Sequence, residues 1–212
     1  MKAMNIGEVC TAVGGSILGG SKEKVITSIT TDSRKIEKGC LFIPLAGERF
    51  DGHDFINQAF EKGAVCCLSH KDIEAKGTII KVKDTRKALL DLASYYRGLF
   101  DIKVCAITGS VGKTTTKDMI YSVLSRKYNT LKTQGNFNND IGLPLTIFNL
   151  EESHEAAVFE MGMNNFGELS RLTAVGRPDV AVITNVGVSH IENLGSREGI
   201  LKAKCEIFEG LK

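Results

Sequence analysis

The sequence predicts an α/β protein: a small mixed α/β N-terminal domain followed by a mostly parallel, doubly wound sheet. Three observations carry that expectation. From Lys103 onward, apolar runs of strand length alternate with runs of helical spacing. Those strand runs are nearly continuous in apolar residues, as in sheets covered on both faces. Before Lys103 the rhythm differs, with short β-like runs joined closely by turn residues. A chain of 212 residues with 42% hydrophobic content has room for two such cores.

In the first part, Ile26 to Thr31 and Cys40 to Leu45 read as short strands. A helix is expected to begin near His53-Asp54 and to run through Phe55, Ala59 and Phe60 to the stop signal Gly63. Ala64 to Leu68 and Thr78 to Val82 read as strands. Asp84 is a plausible N-cap for a helix carrying Ala88, Leu89, Leu92, Ala93 and Tyr96 and ending near Gly98. The boundary then falls near residue 100, giving domains 1–100 and 101–212. In the second, Val104 to Thr108, Thr130 to Thr133, Ala156 to Met161 and Val180 to Val186 are the expected strands. Lys113 to Lys127, Leu143 to Asn149, Phe166 to Ala174 and Glu198 to Gly210 are the expected helices. No closing strand follows the last of them, so the sheet is expected to be incomplete.

Charge narrows the partners. With 27 Lys+Arg against 25 Asp+Glu there is no broad field to attract nucleic acid or an anionic membrane. The start lacks the apolar stretch of a secretory signal, and no window approaches the ~18 apolar residues of a membrane span. A cytoplasmic location is the default expectation. Six cysteines, none in a C-x-x-C pair, are read as reduced thiols, with Cys66, Cys67 and Cys105 acting as small hydrophobes in strands.

The chemistry begins at Gly109-Ser110-Val111-Gly112-Lys113-Thr114-Thr115, a glycine-containing turn between a buried strand and a helix start. That is the setting of a phosphate-binding P-loop. Backbone N–H groups of the turn can cradle phosphate, Lys113 can reach the terminal phosphates, and the Thr114 hydroxyl can hold Mg²⁺. The loop departs from the common G-x-x-x-x-G-K-[ST] form, because Ile107 stands six residues before Lys113. Glu160 lies at the end of another apolar strand, where a metal-binding carboxylate gains more than a solvated one, and is a Mg²⁺ candidate beside Thr114. His190 follows the strand beginning at Val180, and by itself is open between a functional and an ordinary loop histidine. Lys204 has no role that composition or spacing reveals.

Four stretches then fall into place together: Thr108 to Thr116, Gly135 to Pro144 (Gly-Asn-Phe-Asn-Asn-Asp-Ile-Gly-Leu-Pro), Glu160 to Met163, and Asn185 to Ser196. They resemble the Mur ligase family of cell-wall precursor enzymes, in particular the branch that adds D-alanyl-D-alanine rather than the one that adds the third peptide residue. The resemblance implies an ATP-dependent ligase that joins D-alanyl-D-alanine to UDP-N-acetylmuramoyl-tripeptide through an acyl phosphate. It implies that ATP is held by Gly109 to Thr115. Lys113, His190 and Lys204 would be catalytic, and Thr114, Glu160, His190 and a carbamylated Lys204 would surround Mg²⁺. It further implies substrate contacts at Asn138 and Asn139. The UDP end would be held by Ser33 and Arg34 in Thr31 to Arg34, and by Phe50, Asp51 and His53 in Gly47 to His53.

The family has a third, C-terminal domain, which this chain is expected to lack. The 212-residue piece is accordingly expected to be inactive alone, and the full-length protein to be a monomer. Two alternatives stand beside this reading. A folylpolyglutamate-type ligase shares the loop and the lysine but not the segment Asn138 to Pro144. A P-loop nucleotide switch would need a guanine-reading N-K-x-D segment that the sequence lacks.

Overall fold

Short strands and helices alternate along the computed structural model, whose described residues are 1–47, 50–74 and 76–212. The chain divides into two units, Met1–Tyr95 and Tyr96–Lys212.

The first unit opens with β1 (Met4–Asn5) and α1 (Ile6–Ala12). Asn5 starts that helix by reciprocal capping. Its side chain accepts from the Glu8 N–H at 2.9 Å, and the Glu8 carboxylate accepts from the Asn5 N–H at 2.7 Å, satisfying two donors that a helix start leaves orphaned. There follow β2 (Ser16–Leu18), β3 (Val25–Ile26), β4 (Ser28–Thr30) and β5 (Cys40–Phe42), then a 3₁₀ turn at Gly52–Phe55, α2 (Ile56–Glu61), β6 (Cys66–Ser69), β7 (Thr78–Lys81) and α3 (Thr85–Gly98). Among the described residues five strands form one sheet in the order β2-β7-β6-β5-β4, parallel except for β2, while β1 and β3 pair separately. Cys40, Phe42, Ile56, Ala59, Cys67 and Ile79 form the core between this sheet and α2. Burial pushes the Cys66 thiol up to about 12, so this sulfur packs as a small apolar group.

The second unit holds β8 (Lys103–Thr108), α4 (Lys113–Leu124), β9 (Thr130–Lys132), α5 (Gly142–Ile147), β10 (Ala156–Glu160), α6 (Glu168–Gly176), β11 (Val180–Ile183), α7 (Ile191–Leu194), α8 (Arg197–Cys205) and a final 3₁₀ turn, Glu206–Gly210. Its four strands are all parallel, in the order β11-β8-β10-β9. β10 lies between two neighbours and is buried throughout. β11 departs from the expected doubly covered strand: Val180 is 54% exposed and pairing ends at Ile183 rather than Val186. It pairs with β8 alone, and from Thr184 the chain turns onto the loop after β8.

Other boundaries differ for local reasons. α6 begins at Glu168, because Gly167 before it adopts φ 79°. The last predicted helix breaks at Glu206. There the Glu206 carboxylate accepts from the N–H groups of Gly167 (2.8 Å) and Ser170 (3.3 Å), an anion at the start of α6. Arg97, 1% exposed, donates to the carbonyls of Gly176, Phe100 and Ile102 at 3.1, 2.7 and 3.3 Å. Tyr96 donates from its hydroxyl to the Leu150 carbonyl at 2.8 Å. Together they fasten the end of α3 within this unit.

Candidate active site

β8 delivers the chain to its carboxyl end at Thr108, and the loop Gly109 to Gly112 turns it into α4. Gly109 has φ +151°, and a Cβ on it would lie 1.9 Å from Thr184 Oγ1. Gly112, φ +81°, immediately precedes α4. Both conformations are ones that side chains rarely adopt. The chain after β11 braces this loop. Asn185 Oδ1 accepts from the Ser110 and Val111 N–H groups at 3.2 and 3.1 Å, the Gly187 N–H donates to Ser110 Oγ at 2.9 Å, and Thr184 Oγ1 donates to the Val111 carbonyl at 2.6 Å. Lys113 Nζ donates to the Gly109 carbonyl at 2.8 Å. Sequence reasoning singled out neither Thr184 nor Asn185. The available signal was a polar pair at the carboxyl end of an apolar strand beside the loop's own strand.

Register puts Glu160 opposite Ile107 on the neighbouring strand, and so at the same sheet end. Its carboxylate is 2% exposed. Oε2 accepts from the Thr114 hydroxyl at 2.8 Å and Oε1 from the Asn138 amide at 2.8 Å, while the Glu160 N–H donates to Thr133 Oγ1 at 3.0 Å. A buried carboxylate is stable only with such partners. Asn138 is therefore joined directly to the metal candidate. Asn139 has a local role, its Oδ1 accepting from the Ile141 and Gly142 N–H groups at 3.1 and 2.8 Å at the start of α5.

A cleft of about 210 Å³ opens here, lined by Gly109, Lys113, Asn138, Asn139, Gly162, Met163, Asn164, Glu168, His190 and Lys204. Five residues singled out in the sequence as catalytic or substrate-binding thus share one cavity. His190, at φ 63°, immediately precedes α7. Lys204 is 2% exposed, and its amine is lowered to about 8, first by burial and then by the charge of Lys113. Among the described residues no cluster of three or more His, Cys, Asp or Glu is placed to hold a metal ion. What the site does offer is one buried carboxylate and one hydroxyl at 2.8 Å. Hard oxygen donors in that small number suit Mg²⁺ that is also held by phosphate and water.

The N-terminal candidates sit in the first unit. Asp32 grips Arg34 through Oδ1 to Nε at 2.9 Å and Oδ2 to Nη2 at 2.8 Å, and that pairing lowers the Asp32 carboxyl to about 2. The Ser33 carbonyl accepts from Lys62 Nζ at 2.8 Å. Phe50 is 76% exposed. Asp51 contacts Lys71 Nζ and His53 Nδ1, both at 2.6 Å, and accepts from the His53 N–H at 2.9 Å. Its carboxyl is held well below the usual range, mainly by Lys71. His53 is buried, which depresses its own basicity, and its ring meets that of His70 edge-on at 4.2 Å. Asp51 and His53 are thus in contact, while Ser33 and Arg34 have partners of their own. Glu48 and Arg49 of the same segment lie outside the described residues.

Residues 107–212 match the Mur ligase middle domain, and residues 25–97 match a domain described as "Mur ligase family, catalytic domain". The UDP-N-acetylmuramoyl-tripeptide--D-alanyl-D-alanine ligase of Bacillus subtilis (strain 168) is 51% identical over 194 residues, which are 90% of this chain and 42% of that protein. The crystal structure of MurF from Acinetobacter baumannii superposes with TM-score 0.94 at 38% identity, covering 100% of this chain and 47% of the other. MurF ligase from Thermotoga maritima in complex with ADP superposes with TM-score 0.83 at 38% identity, covering 87% and 43%. The chain spans about half the length of the curated relatives it matches. With a family domain matched over half its residues, in the stretch that carries the phosphate loop, Glu160, His190 and Lys204, the chain belongs to the Mur ligase family.

Proposed function

We propose that this chain carries the nucleotide-binding and UDP-substrate-binding parts of an ATP-dependent amide ligase, which joins D-alanyl-D-alanine to UDP-N-acetylmuramoyl-tripeptide in cytoplasmic peptidoglycan precursor synthesis. The observation that carries the proposal is the pairing of Thr114 with Glu160 at 2.8 Å, beside a cleft that also holds Lys113 and Lys204. The 51% identical Bacillus relative, named for that reaction, supports the choice of substrates.

A carboxylate accepts an amine only after one of its oxygens becomes a leaving group. The tripeptide carboxylate attacks the γ-phosphorus of ATP, ADP leaves, and an acyl phosphate results. The amine of D-alanyl-D-alanine then displaces inorganic phosphate and loses a proton. The Ser110 and Val111 N–H groups are taken by Asn185, so the N–H groups at the start of α4, with Lys113, hold the phosphates in line and stabilise charge on the transferring phosphoryl. Thr114 and Glu160 would hold Mg²⁺, which when bound neutralises phosphate charge. Asn138 keeps the Glu160 carboxylate oriented, and His190 faces the same cleft. Lys204 is buried and easily made neutral, as a lysine must be to attack carbon dioxide; the product is a carbamate plus a released proton, and the cation becomes an anion. In the first unit, the exposed Phe50 would meet a uracil ring and the exposed guanidinium of Arg34, held by Asp32, a pyrophosphate, with Ser33 beside Arg34 and with Asp51 and His53 shaping the turn after Phe50.

Phosphate release by the full-length protein tests the proposal. Release should require both UDP-N-acetylmuramoyl-tripeptide and D-alanyl-D-alanine. Hydrolysis that ignores both would refute the ligase and favour a nucleotide switch.

A further inference from the structure

Lys117 stands one turn beyond Lys113 on α4, and the chemistry above does not use it. It is 2% exposed. A buried ammonium near a helix N-terminus is disfavoured twice, by lost hydration and by the helix dipole, so an anion must offset it. Among the described residues two carboxylates are within reach. Asp118 Oδ1 lies 3.6 Å from Lys117 Nζ, but Asp118 is half exposed and also binds Lys132 at 2.8 Å. Glu160 Oε2 lies at 4.0 Å, with both side chains only 3% exposed. Of these two, Glu160 is the partner as deeply buried as Lys117, and it is also the residue read as a metal ligand.

We infer that Lys117 is a positioning residue that makes divalent-cation binding conditional on the nucleotide. The ammonium lies 4.0 Å from the Glu160 carboxylate, which Thr114 and Asn138 hold in place, and offsets its negative charge. A free cation approaching Glu160 meets a resident positive charge in a low-dielectric site, where like charges repel far more strongly than in water. The phosphates of a nucleotide supply the missing negative charge, so cation and nucleotide are retained together. The inference rests on the reading of Glu160 as a metal ligand.

Mn²⁺ is the probe, with its free concentration followed by electron paramagnetic resonance in the full-length ligase, with and without saturating ADP. The wild type should bind Mn²⁺ weakly alone and at least tenfold more tightly with ADP. Lys117→Met should bind Mn²⁺ without ADP at least tenfold more tightly than the wild type, and the two proteins should converge when ADP is present. Equal or weaker Mn²⁺ binding by Lys117→Met without ADP, in a protein that still binds ADP, overturns the inference. Should the Met variant fail to fold, Lys117→Gln carries the same comparison with the same two outcomes. Glu160→Gln separates the two readings: if it leaves ADP-dependent Mn²⁺ binding intact, the metal-ligand assignment fails, whatever Lys117 does.

Discussion

Replacing Gly109 with alanine perturbs the phosphate loop at its tightest point. The new Cβ would lie 1.9 Å from Thr184 Oγ1, 3.1 Å from Thr184 Cβ and 3.2 Å from the Thr184 nitrogen. Alanine at φ +151° carries backbone strain of about 1–3 kcal/mol. Relieving the contact means moving Thr184, which breaks its 2.6 Å hydrogen bond to the Val111 carbonyl, a loss of about 1 kcal/mol. The combined effect is about 2–4 kcal/mol on the loop conformation proposed to bind phosphate. At ~1.4 kcal/mol per tenfold, ADP should bind roughly 30- to 1000-fold more weakly. Thr184→Ala removes the nearest clashing atom, and on its own should weaken ADP binding only about fivefold, through the lost hydrogen bond. The double variant should therefore bind ADP better than the product of the two single effects, since the hydrogen bond can be lost only once and the worst clash is gone. Isothermal titration of the full-length protein with ADP measures all four variants. Gly109→Ala binding within threefold of wild type, or strict additivity in the double variant, would refute this account.

Four further outcomes are expected. Lys113→Ala should abolish ATP hydrolysis and coupling while leaving the circular dichroism spectrum unchanged; undiminished turnover would exclude the phosphate-loop reading. Lys204→Ala should lose activity and regain part of it with added short carboxylates, which stand in for the carbamate; full activity without them would count against carbamylation. Arg97→Met leaves three buried carbonyls without their donor and should destabilise the second unit by about 3 kcal/mol in urea unfolding, so a loss under 1 kcal/mol contradicts the anchoring role. The Asp51 carboxyl is depressed in the folded protein, chiefly by Lys71. Its contribution to stability is thus complete above the unfolded value of about 3.9 and is lost as pH falls from there toward the folded value. Asp51→Asn should flatten that acid limb of the stability profile, and an unchanged limb would show that the pair contributes nothing.

Much of this protein was legible in the sequence because the relevant physics is local. Apolar runs alternating with helical spacing establish the parallel α/β unit, since a strand buried on two faces must be apolar throughout. A glycine turn between such a strand and a helix is the simplest way to aim backbone donors at phosphate. The opening of the chain was not legible, because β1, β2 and β3 are two or three residues long and show no period.

Only the tertiary structure decided which side chains meet. Glu160 and Thr114 are 46 positions apart, and parallel register alone brings them to one sheet end. Asn185 reaches the phosphate loop from 74 positions away, because β11 pairs with β8. Lys117 looks in the sequence like any solvated helix lysine; its burial against Glu160 depends on α4 lying over β10. Periodicity records which face of an element is apolar, and hence the elements and the loop. The partners of a buried charge are chosen by chain crossings that no local pattern encodes, and at this site those partners set its electrostatics.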